Sequence, residues 1–188
     1  EDSRAKGRSG DGLVTPLDEA VRGQLRSTVL RTREVLTADL EEILEGKYGV
    51  KRTGEREALA RLPEVNGDSR EMETREFLLK VLPPQPTTKA ERGKFVDSFD
   101  SVLRSLAFTH LNRLVAFKLM EAPSRKLIRE AIGRGAGSNG FKFFLAADPV
   151  EEALYNSGRQ DEAYRHFLLH LADAWHREIG VLFDPSDL

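Results

Sequence analysis

The sequence predicts an all-α chain, an irregular multi-helix bundle with long central helices. Three observations carry that expectation. Apolar residues recur at helical spacing over long stretches, Ser, Thr and Asp residues stand at helix-start positions ahead of those stretches, and Pro or Gly closes most of them. The chain has 188 residues, enough for one sizeable core or two small helical lobes. Its 29 basic and 31 acidic residues nearly cancel, to a net charge of −2, so any nucleic-acid contact must come from a local patch. There is no Cys, which excludes disulfides, thiolate metal sites and cysteine nucleophiles and fits a reducing cytoplasm. No apolar run approaches the roughly 20 residues that span a bilayer, so no membrane partner is expected.

Residues 1–14 are rich in charge and Gly and read as a disordered leader without an initiator Met. An N-terminal helical lobe is expected over 15–82. Thr15-Pro16-Leu17-Asp18 starts its first helix, Leu17, Val21, Leu25, Val29, Leu36, Leu40, Ile43 and Leu44 form the apolar stripe, and Gly46 offers a left-handed cap. A connection over 46–67 contains a short helix around Glu55–Leu62, stopped by Pro63, and a turn at Asn66-Gly67. Asp68 or Ser69 then caps a helix to about Leu82, burying Met72, Phe77, Leu78 and Val81. Residues 83–87, opening Pro83-Pro84-Gln85-Pro86, form a stiff spacer and the expected lobe boundary.

The main helical lobe is expected over 88–188. Thr88-Lys89-Ala90-Glu91 has the form of a capping box. It opens the most apolar helix, to about Glu121, with Phe95, Phe99, Val102, Leu103, Leu106, Leu111, Leu114, Val115 and Leu119. Ser124 can cap a further helix to Ile132. Gly133–Gly140 reads as a flexible loop, and Phe141–Leu145 as a short strand or extended segment near 141–145. Asp148-Pro149-Val150-Glu151 begins another helix, and a last one runs from about Gln160 to Ile179, burying Tyr164, Phe167, Leu168, Leu171 and Trp175.

Catalytic patterns are missing where they would be looked for. The Gly133–Gly140 loop lacks the Lys-Ser/Thr pair of a phosphate-binding loop and follows a helix, not a strand. His166 and His170 stand four apart, as ligands of a metal hydrolase can, but Phe167 occupies the place of the glutamate in the zinc-protease pattern, and half-buried imidazoles are the simpler reading. No metal site is expected. Glu41/Glu42 and Glu151/Glu152 read as solvated helix faces. Arg125, Lys126, Arg129 and Arg134 fall within ten residues and are the candidate contacts to DNA phosphates; Arg22, Arg26 and Arg33 lie along one side of the first helix. An ordinary salt-bridged helix surface is the plain alternative for both groups. Thr109, Asn112 and Arg113 share an otherwise apolar helix and form a candidate structural polar cluster, fixing a neighbouring loop or a domain beyond this chain.

The segment Ala107-Phe108-Thr109 … Asn112-Arg113-Leu114-Val115-Ala116 … Leu119-Met120-Glu121 resembles the A-F-T … N-R-L-x-A-x-R-x-x-E helix of large adenine-N6 DNA methyltransferases of the BREX and DISARM phage-defence systems and related restriction–modification enzymes. Lys118 stands where that pattern has Arg. Tyr164 … Phe167-Leu168 … Leu171 … Ile179 … Leu182-Phe183-Asp184 is similar to the helix and L-F-D exit ahead of their methyltransferase core. The resemblance covers about residues 88–188. It implies a non-catalytic N-terminal region ending just before a catalytic domain, with that domain, duplex DNA and defence-system subunits as partners. The S-adenosylmethionine site would belong to the parent protein: the only Pro-Pro pair here, Pro83-Pro84, lies between Leu82 and Gln85 and not in an Asn-Pro-Pro-Tyr/Phe motif, so no catalytic or cofactor residue carries over. A stand-alone helical adaptor for a protein partner is the alternative.

Overall fold

The computed structural model describes residues 18–180, and among them the fold is all-α, with six α-helices and no strand. The Thr15 cap, Leu17 and Leu182-Phe183-Asp184 lie outside the described residues. Helix α1 spans Glu19–Glu42, opened by Asp18, whose carboxylate accepts the Ala20 N–H. It ends in a widened π turn, Ile43–Lys47. Gly46 stays inside that turn, so the left-handed position expected there falls instead at Gly49, where φ is 64°. A Cβ at Gly49 would stand 2.6 Å from the Cβ of Glu57.

The helix expected around Glu55–Leu62 is reduced to one 3₁₀ turn, Leu59–Arg61. The segment ahead of it is drawn into a bridge between Val50 and Arg56, and two of its carbonyls, those of Tyr48 and Glu57, accept from the Arg75 guanidinium at 3.0 and 2.6 Å. Those bonds leave the chain extended where a helix would need its carbonyls turned along its own axis. Helix α2, Ser69–Val81, is capped by Asp68. Leu78 is buried and Met72 half-buried, but Phe77 and Val81 are exposed, contrary to expectation. At about 100° per residue those two fall within roughly 40° of each other and about 60–100° round the helix from Leu78, on the flank of a stripe too narrow to cover them.

Helix α3, Lys89–Met120, carries the expected capping box: Glu91 N–H donates to Thr88 Oγ1, and Thr88 N–H to the Glu91 carboxylate. Its first half sends Phe95, Phe99 and Leu103 into a core shared with Leu44, Val50, Val65, Leu78 and Leu82. Its last turns send Ala116, Phe117 and Met120 against Ala172 and Trp175. The Pro-rich segment thus does not coincide with a change of core; the change falls inside α3. Val115 and Leu119, expected inside, face out with Phe108.

No helix forms over 124–132, and Phe141–Leu145 is not extended. Helix α4, Asn139–Ala147, starts on the buried Ser138, whose hydroxyl accepts the Phe141 N–H. Phe141, Phe144 and Leu145 recur at i, i+3 and i+4, a helical spacing hidden in a short apolar run. Helices α5, Pro149–Asn156, and α6, Gln160–His176, start close to where expected, α5 with the Asp148 cap and Pro149 in its first turn. Phe141 sits at the centre of this end, its ring 5.3 Å from Tyr164, 5.6 Å from Phe167 and 5.8 Å from Tyr155. No described helix is long and apolar enough to cross a membrane.

A candidate nucleic-acid interface on the loop after helix α3

Glu121 closes α3, where the negative end of the helix dipole disfavours a carboxylate. It is held there by other partners. Its side chain is 5% exposed; one oxygen accepts from Lys118 Nζ at 2.6 Å, and the other accepts backbone N–H groups of Ala131, Ile132 and Gly133 at 2.7, 2.8 and 3.3 Å. Burial pushes the carboxyl pKa up, but these donors more than offset it and hold it below the usual carboxylate range. The acidic end of the helix thereby grips a chain ten residues further on.

The rest of the loop is fastened from two more sides. Leu127 N–H donates back to the Met120 carbonyl, and Lys126 turns the chain through a positive φ of 50°. These bonds replace the helix expected from Ser124. Tyr164 of α6 donates to the Ala131 carbonyl at 2.8 Å. Gly140 approaches the Glu130 carbonyl so closely that a Cβ there would lie 2.6 Å from it. The Gly133–Gly140 stretch, expected to be flexible, is therefore a hydrogen-bonded lead-in to α4, with a 3₁₀ turn at Gly135–Gly137.

On this frame Arg125, Lys126 and Arg129 are exposed. Neither Arg125 nor Lys126 forms an ion pair with a described residue, and the Arg129 guanidinium lies 3.9 Å over the centroid of the exposed Phe143 ring. Arg134 differs: it is exposed but pairs with the Glu130 carboxylate, two of its nitrogens within 2.5–2.9 Å of it. It reads better as a brace of the loop than as a free phosphate contact. Phe143 was not singled out from the sequence, because an extended 141–145 gives no reason to place it beside Arg129. Glu121 did carry a signal, an acid ending an apolar helix with no basic residue after it before Arg125.

The remaining candidates lie elsewhere on the molecule. Arg113 is 5% exposed, and Thr109 and Asn112 are half-buried on the same helix. His110 beside them is half-buried, and burial with the nearby Arg113 and Arg165 lowers its pKa. His166 is engaged by Glu151, its Nδ1 2.9 Å from Oε1, so Glu151 is not a merely solvated acid. His170 packs on Phe144, ring centroids 5.4 Å apart. No group of three His, Asp or Glu among the described residues is placed to hold a metal. Glu41 pairs with Arg52 at 3.4 Å, and Arg22, Arg26 and Arg33 are exposed.

Compared with known proteins, the chain matches no protein-family model, no curated protein and no solved structure.

Proposed function

We propose that this chain is the non-catalytic N-terminal helical domain of a site-specific adenine-N6 DNA methyltransferase of a phage-defence or restriction–modification system, working in the cytoplasm. In this reading it buttresses the catalytic domain, which would bind S-adenosylmethionine, and touches the DNA backbone through Arg125, Lys126 and Arg129. The observation that carries the DNA contact is the loop itself. Its cations are exposed on a backbone tied down by Glu121, Tyr164 and Gly140, and positioned cations hold phosphates without reading bases. Glu121, Asn112 and Arg113 belong to the motif that resembles the methyltransferase helix, and Glu121 gives that motif a physical task.

The test is duplex-DNA binding by the intact protein as a function of salt, with Arg125, Lys126 and Arg129 reversed to Glu. Binding is expected to weaken and to lose part of its salt dependence. Unchanged binding defeats the contact. A second reading, a helical adaptor for a protein partner, is favoured by Phe108, Val115 and Leu119, which line one exposed face of α3. An adaptor binds its partner with no catalytic domain attached and shows no salt-dependent affinity for DNA.

A further inference from the structure

The first half of α1 is regular helix with no buried or half-buried residue. Residues 18–31 are all exposed, and α1 reaches the core only through its second half, where Leu40 lies against the cluster around Leu44 and Phe99. Charge divides close to that line, once the acidic pair Asp18 and Glu19 at the helix start is passed, with Arg33 just beyond it. From Ala20 to Arg33 there are four arginines and no carboxylate, whereas Glu34, Asp39, Glu41 and Glu42 all lie in the second half. At about 100° per residue, Arg22, Arg26 and Arg33 fall within a sector of roughly 40°. None of these four arginines forms an ion pair with a described residue, while Arg52, Arg61, Arg134 and Arg159 all do.

We propose that this arm is a second nucleic-acid contact, its Arg22, Arg26 and Arg33 edge lying along the sugar–phosphate backbone of duplex DNA. The inference rests on the DNA-binding reading above, but on different residues. Three aligned guanidinium groups span about 16 Å of helix, a length over which duplex DNA presents roughly ten phosphate charges. One flank of that edge is small: Gly23 has open space around its Cα, and Ser27 follows one turn on. The neighbouring Val21, Leu25 and Val29 face the apolar sugar edges and thymine methyl groups that a groove offers. An acidic protein groove would also suit arginines, but it would supply its carboxylates at chosen points. A helix with no carboxylate over fourteen residues fits a partner that is anionic everywhere.

The experiment is fluorescence anisotropy of the 188-residue chain with a labelled duplex of mixed sequence, titrated at several salt concentrations. Two variants are compared, Arg22→Gln/Arg26→Gln/Arg33→Gln and Arg125→Gln/Lys126→Gln/Arg129→Gln, each checked for unchanged helicity by circular dichroism. The α1 variant is expected to bind on the order of 100-fold more weakly near 0.1 M salt and to lower the log–log salt slope by about 2.7, three contacts at about 0.9 each. If only the loop variant loses slope, the α1 contact is overturned and the loop reading stands. If only the α1 variant does, the arm is the contact and the loop is not. If neither differs from wild type, or the wild type does not bind, both fall.

Discussion

The two cationic regions are built in opposite ways. The loop over 121–138 has almost no regular secondary structure, yet Glu121 at the end of α3, Gly140 of α4 and the half-buried Tyr164 of α6 fix its backbone. The first half of α1 is continuous helix with exposed side chains throughout. Regular geometry and tertiary attachment are thus separate properties. The loop presents Arg125, Lys126 and Arg129 from a preformed frame, and a partner need not order it. Among the described residues the arm is held by local bonds, its helical ladder, the Asp18 cap and the Thr28 hydroxyl, and by the turns beyond Arg31, and a partner that covers it supplies further packing.

The contrast breaks most readily at the loop's support. Phe141→Ala is expected to cost about 3–5 kcal/mol, because it empties the centre of the ring cluster under the loop; chemical denaturation measures it, and a loss under about 1 kcal/mol means that the frame is not what holds the loop. Glu121→Ala leaves three amides without their acceptor and should cost about 2–3 kcal/mol. The same carboxylate has a pH signature. Its folded pKa lies below the unfolded value, so its contribution is present above the unfolded carboxylate pKa of about 4.3 and is lost as pH falls through the folded one. Glu121→Gln should therefore narrow its stability difference from wild type in acid, and a constant difference from pH 7 to pH 3 refutes this. On the arm the effects shrink and reverse. Gly23→Ala should stabilise by about 0.5–1 kcal/mol, since helix propensity rises and nothing within 4 Å obstructs the new methyl. Leu25→Ala should stay within about 0.5 kcal/mol; a larger loss shows that the arm is covered.

Most of the helices were legible in the sequence because their signals are local. Asp68, Thr88 and Asp148 cap where the residue types place them, and α3 runs as its periodicity requires. The errors cluster where long-range bonds outweigh local preference. Ser124 looks like a cap, but Glu121 takes the amides of 131–133 and Leu127 folds back to Met120, so no helix follows. Phe141–Leu145 was too short to separate strand from helix by spacing alone. The arginine candidates were found, but that Arg134 is occupied by Glu130 and that Arg129 rests on Phe143 depends on neighbours that α4 and the loop bring together. Nothing in the order of residues shows that the stripe of Val21, Leu25 and Val29 goes uncovered, since an amphipathic pattern does not say whether its partner is present.

Helix α3 has one further consequence. Thirty-two residues at 1.5 Å each make a rod of about 48 Å, and beyond Gly93 it contains neither Gly nor Pro to act as a joint. Helix α1 packs on this rod, with Leu40 against the cluster around Phe99, and the Glu121 grip fastens the loop to its far end. A tilt imposed on α1 therefore reaches the loop through continuous helix, with no Gly or Pro joint in α3 beyond Gly93.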